Sequence, residues 1–277
     1  MKAAPLILTA YLAFAGCDGG DSSVAAGSEQ RHRVIKQGPA GRQDAVPAQE
    51  NRQETRTPRA VPQVKAKLKG AGLDWERLNE KTLRLTESGD YDRALTVGEE
   101  ALKIAEQTAG DGHTDVAVAL NNFARIYSKK EQYDKAEPLY KRALGIYENA
   151  LGRDHPGVAG SLNNLAVLYS GQGKPELAEP LYKRAIAIYE KALGKNHPHV
   201  ASSLNNLAVL YDGQENYAKA EPLYMRALEI KEKTLGKDHP GLVSTMNNLA
   251  ALYEQTERKD KALELQLRAL QIKQGSQ

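Results

Sequence analysis

Cysteine occurs once in the 277 residues, at Cys17. Neither a disulfide framework nor a thiolate metal site can therefore form within one chain. Phe and Trp are nearly missing: there are 2 Phe and 1 Trp against 13 Tyr, so a few Tyr positions are used repeatedly. No apolar run approaches the ~20 residues of a membrane-spanning helix. No nucleophile-elbow or zinc-helix motif occurs, and Gly171-Gln172-Gly173-Lys174 lacks the strand and the full glycine spacing of a phosphate loop. Without a convergent nucleophile, base and orienting group, enzymatic function is not expected, and no cofactor is implied. The net charge of +3 is too small to indicate nucleic acid.

What charge there is lies unevenly. Ser28 to Gly72 holds ten Lys/Arg and four Asp/Glu, a balance of +6, which leaves −3 for the rest. A basic tether thus precedes a mildly acidic body. Upstream of the tether, Lys2 and the short apolar run Ala3 to Ala15 fit a secretory signal over residues 1–16. Phe14-Ala15-Gly16-Cys17 resembles a bacterial lipobox, with Phe where Leu is usual. Cys17 would then be the first mature residue and carry lipid, making the protein a membrane-anchored lipoprotein facing the periplasm. More than one acyl chain gives stable anchoring. The alternative is cleavage after Ala13-Phe14-Ala15 and release of a soluble periplasmic or secreted form. Residues 17–70 read as a disordered basic linker, rich in Gly, Ser, Gln and Arg and broken by Pro39, Pro47, Pro58 and Pro62.

From residue 71 onward a period of 42 takes over. Ser161-Leu162-Asn163-Asn164-Leu165-Ala166-Val167-Leu168-Tyr169 returns letter for letter at Ser203 to Tyr211. One period earlier stand Leu120-Asn121-Asn122-Phe123-Ala124, and one later Met246-Asn247-Asn248-Leu249-Ala250. Glu137-Pro138-Leu139-Tyr140 returns in phase at Glu179 and Glu221. A degenerate first copy begins near Trp75, whose lone indole reads as packing. Copies of about 75–116, 117–158, 159–200, 201–242 and 243–277 result.

Within a copy the spacing is helical. Leu162, Leu165, Ala166 and Tyr169 form one apolar stripe, and Ala178, Leu181, Tyr182, Ala185, Ile186 and Tyr189 form a second. Gly171-Gln172-Gly173 turns between them, Gly194 ends the second helix, and Pro198 starts the next. The residue types at Leu162, Leu165, Ala166, Tyr169, Ala178, Tyr182 and Ala185 resemble the tetratricopeptide consensus. The 42-residue period, with Leu-Asn-Asn-Leu-Ala and Glu-Pro-Leu-Tyr, is similar to the kinesin light chain class of that repeat. The resemblance implies an all-α, right-handed superhelical solenoid of stacked antiparallel helix pairs. It also implies a concave groove that binds a partner protein or extended peptide.

The groove positions implied are Asn121, Asn122, Arg125, Asn163, Asn164, Asn205, Asn206, Asn247 and Asn248. Each amide offers donors and an acceptor to an extended backbone. The competing structural role is bonding between adjacent helices, and the two asparagines of a pair can divide the roles. Around them the face runs from acidic (Glu76, Glu80, Glu87) through basic (Arg125, Lys129) to small and neutral (Val167, Gly171). With so few cations, a carboxylate clamp is not expected.

Two further ladders repeat at 42. His113, His155, His197 and His239 are too far apart to share one ion, and His-Pro reads as helix-start chemistry, with Asp154, Asn196 or Asp238 near the cap. No metal site is expected. Arg142, Arg184, Arg226 and Arg268 read as a solvated face paired with nearby Glu. The last copy replaces Glu-Pro-Leu-Tyr by Leu263-Glu264-Leu265-Gln266, which reads as an end cap or as a face for self-association. The function expected is a protein-interaction scaffold at the bacterial cell envelope. The rival is a cell-wall glycan binder or an accessory protein of a periplasmic enzyme.

Overall fold

A computed structural model describes residues 65–275; the signal, Cys17 and most of the linker lie outside the described residues. Ten helices follow in chain order: α1 (Lys65–Glu87), α2 (Tyr91–Ala109), α3 (Thr114–Lys129), α4 (Tyr133–Leu151), α5 (Pro156–Gly171), α6 (Pro175–Leu193), α7 (Pro198–Asp212), α8 (Tyr217–Leu235), α9 (Val243–Gln255) and α10 (Lys259–Gly275). A single 3-10 turn, Pro240–Leu242, leads into α9. Among the described residues there is no strand. Helix α1 begins inside the stretch read as linker, because Lys65-Ala66-Lys67-Leu68-Lys69 follows the last proline and consists of good helix formers.

The helices pack as five successive pairs, and each pair packs on the next. The stripes foreseen at helical spacing are the core: Leu162, Ala166, Ala178 and Ala185 are fully buried, and Tyr182 nearly so. Ala at the crossing lets two backbones approach, and the Tyr rings fill the flanks. The backbones of successive odd-numbered helices come close, whereas those of successive even-numbered helices stay further apart and are bridged by long side chains. The stack therefore curves with α1, α3, α5, α7 and α9 on its inner side.

Two backbone devices set the joints. Gly110, Gly152, Gly194 and Gly236 end the second helices at φ 88, 85, 93 and 95°, with ψ near extended. Only glycine enters that region without strain. Between the helices of a pair the chain passes through the left-handed region, at Gly89 and Gly173 in two copies but at Glu131, Glu215 and Glu257 in the others. A side chain there costs about 1 kcal/mol. Glu215→Gly is therefore expected to raise stability by roughly 1 kcal/mol, and Gly194→Ala to lower it by about 1–3 kcal/mol. Paired urea titrations check both signs.

The helix starts differ from expectation in their chemistry. The N-cap is the histidine itself. Nδ1 of His113, His155, His197 and His239 accepts from the backbone N–H two residues on, at Asp115, Gly157, His199 and Gly241. With Pro at the first helical position, the residue before it is the cap. Asp154, Asn196 and Asp238 lie one place too early to reach the free amides.

Candidate functional site

The inner face is built from one position set on each odd-numbered helix, spaced i, i+4, i+7, i+11. On α3 these are Val118, Asn122, Arg125 and Lys129; on α5, Gly160, Asn164, Val167 and Gly171; on α7, Ser202, Asn206, Val209 and Gly213. Nearly all are half-buried, the surface of a shallow trough rather than a core. On α1 the same set is acidic and exposed at Glu76, Glu80 and Glu87. The small residues on α5 are also structural: a Cβ at Gly171 would stand 3.2 Å from the Tyr133 hydroxyl.

The asparagine pairs divide. Asn163 and Asn205, the first of their pairs, are buried between helices. The second of each pair reaches back to the first of the preceding copy. Asn206 Nδ2 donates to Asn163 Oδ1 (3.4 Å) and Asn248 to Asn205 (3.5 Å). Asn122 donates to Asn79 Oδ1 at 2.7 Å. Asn79, which the period places in phase 42 residues before Asn121, thus joins the ladder as its first member, a role that the sequence alone did not assign it. Asn247, with no described copy beyond it, is exposed.

One rung is open. Asn121 Nδ2 turns instead to Ser161 Oγ (3.0 Å), its buried Oδ1 has no partner, and Asn164 makes no hydrogen bond. One turn along α3, Nε and Nη2 of Arg125 are buried without a partner. Burial, and then repulsion by Arg125, holds the Lys129 ammonium below its usual pKa. Unpaired buried polar groups are costly, and here several gather at the middle of the inner face.

The outer arginines behave otherwise. Arg142, Arg184 and Arg226 pair with Glu106, Glu148 and Glu190 of the preceding copy at 2.8, 2.7 and 2.5 Å. Arg268 pairs likewise with Glu232. These half-exposed pairs hold neighbouring copies in register and contribute modestly. Trp75 packs, partly buried, against the core cluster that contains Val116 and Leu120, and its indole N–H has no partner among the described residues. Among the described residues no three His, Cys, Asp or Glu gather as metal ligands. The rings of His197 and His199 lie 4.9 Å apart, next to Tyr189.

A model of the tetratricopeptide repeat matches residues 85–149, 126–191, 161–233 and 200–275. The chain belongs to the tetratricopeptide repeat family. This tetratricopeptide protein is similar in fold to solved kinesin-light-chain-like structures. BtubC (BKLC) from P. vanneervenii is 24% identical over 78% of this chain and 93% of its own, with a TM-score of 0.61. A kinesin light chain-type protein of nearly identical TPR-like repeats from Podosopora anserina is 25% identical over 73% and 96%, with a TM-score of 0.59. PilF from Pseudomonas aeruginosa is 16% identical over 73% and 78%, with a TM-score of 0.54. No curated protein matches the sequence. Tetratricopeptide folds are general protein–protein interaction scaffolds and generally non-catalytic.

Proposed function

We propose that this tetratricopeptide protein holds an extended segment of a partner protein along the inner face of its stack. The observation that carries the reading is the open rung: Asn121 Oδ1, the Asn164 amide and Nε and Nη2 of Arg125 all lack partners among the described residues. An extended backbone laid across Asn164 supplies the missing amide contacts. An acidic side chain that draws Arg125 outward relieves its buried nitrogens. Each hydrogen bond is worth ~0.5–1.5 kcal/mol and micromolar binding needs about 8, so the small residues of α5 and α7 serve as side-chain recesses that supply the remainder. The lipobox-like Phe14 to Cys17 supports a membrane anchor at the cell envelope, from which the linker extends the scaffold.

The test uses Arg125→Glu combined with Asn164→Ala in the full chain. Pull-down from envelope extract should recover a partner with the wild type and lose it with the variant, while helicity and thermal unfolding are unchanged. A partner retained by the variant refutes the groove. Asn163 and Asn205 are poor choices for this test, since their loss opens the helix stack itself. Cys17→Ser should shift the protein from the membrane to the soluble fraction, and an unchanged distribution refutes the anchor.

A further inference from the structure

The two ends of the stack differ in chemistry. In later copies the positions of Ser161, Leu165 and Leu168 are buried. Their counterparts in α1, two periods earlier, are Arg77, Lys81 and Arg84, all exposed. That end is a charged cap, and stacking another copy against it would bury three cations. The opposite end carries a leucine stripe on α10: Leu263, Leu267 and Leu270 are 55, 51 and 51% exposed, four and then three residues apart.

Comparison along the repeat shows what these leucines replace. Leu263 stands where Glu137 accepts from the Tyr169 hydroxyl and Glu221 pairs with Arg258 of the next copy. Leu267 stands where Lys141 and Lys183 stand, and Leu270 where Ile186 and Leu228 are buried. At Leu263 and Leu270 the face that inside the stack receives the following copy has thus lost its polar tie and kept apolar surface, and Leu267 extends it at a position that is exposed in the interior copy as well (Met225, 52%). It continues the stacking interface but no longer suits the tyrosine or arginine of a following copy.

We infer that α10 docks on α10 of a second copy of this chain, antiparallel about a two-fold axis at Leu267. The four-three spacing is that of a helix–helix seam. The two-fold sets Leu267 on the partner's Leu267 and Leu263 beside the partner's Leu270. It also brings Asp260 of the first turn to the partner's Lys273 in the last turn. An isologous contact closes after two copies, and the charged α1 end prevents growth into a filament. Three leucines over about 10 Å of helix make a small interface, at the weak end of specific association. Dissociation in the micromolar range follows.

Sedimentation equilibrium of the full chain, over sub-micromolar to hundred-micromolar concentrations, tests this. Wild type should pass from monomer to dimer and stop there. Leu267→Glu should weaken the dimer by about tenfold or more, some 1.4 kcal/mol, with unchanged helicity. Met225→Glu, the exposed counterpart on α8, should dimerise as wild type does. A wild type that stays monomeric, a Leu267→Glu dimer of unchanged strength, or equal loss in Met225→Glu would each overturn the proposal. So would species larger than a dimer. None of these outcomes depends on the inner face.

Discussion

Leu207→Ala is expected to lower the unfolding free energy by about 2–5 kcal/mol, the range for emptying a fully buried leucine site. Leu207 is 3% exposed and sits in the largest core cluster with Leu165, Leu204 and Leu249. For a domain of this size 1 kcal/mol moves the midpoint by about 2–4 °C, so the shift is large. The array adds a second signature. Each copy packs only on itself and its neighbours, and stability in such chains is close to a sum of unit and interface terms. A hole in the fourth copy weakens the joints on both sides of it. Leu249→Ala, at the same place in the last copy, weakens only one described joint. Hydrogen exchange should therefore show Leu207→Ala loosening α5 through α10, and Leu249→Ala loosening α9 and α10 alone. A near-neutral Leu207→Ala would mean that the inner and core faces of the odd-numbered helices have been exchanged.

Replacing His155, His197 and His239 together by Ala is expected to lower the unfolding free energy by roughly 3 kcal/mol. The caps of α5, α7 and the turn before α9 use Nδ1 of these three residues as acceptor. Each lost cap costs about 1 kcal/mol. Asn at the same positions, whose side-chain oxygen also caps, should keep most of that stability. Urea titrations at about pH 7.5 check both variants, and an alanine triple variant as stable as the wild type would remove the caps from the account. His199 adds a pH dependence: burial, and then His197, hold its pKa below the ordinary histidine value. In the unfolded chain it takes up its proton first, so its contribution is complete above about pH 6.5 and is lost as the pH falls through its folded value. Urea midpoints followed from pH 7.5 to pH 5 should fall, and His199→Asn should flatten that slope. An equally steep slope in the His199 variant would remove this histidine from the account.

The architecture was legible because repetition exposes periodicity that a single helix pair would hide. Leu162, Leu165 and Ala166 fell on one face by spacing alone, and Gly194 and Pro198 marked boundaries that the helices observe. The arginine ladder also read correctly, since Arg184 and Arg226 found the glutamates expected of a solvated face. The asparagines read only halfway. Which of two adjacent amides turns into the stack depends on the rotation between one copy and the next, and no residue type encodes that angle. Hence the burial of Asn163 and Asn205 required coordinates. The histidine caps were missed for a related reason. Asp and Asn are the usual capping types, and their presence one residue early at Asp154 and Asn196 drew the assignment.

Helices whose backbones lie close on the inner side and are spanned on the outer side only by arginine–glutamate pairs make each joint a hinge with room to open and close. A fraction of a degree at every joint adds along the array into a change of pitch. A guest clasped in the hollow would stiffen this spring, and a pull on the guest would be felt as strain shared among all the joints.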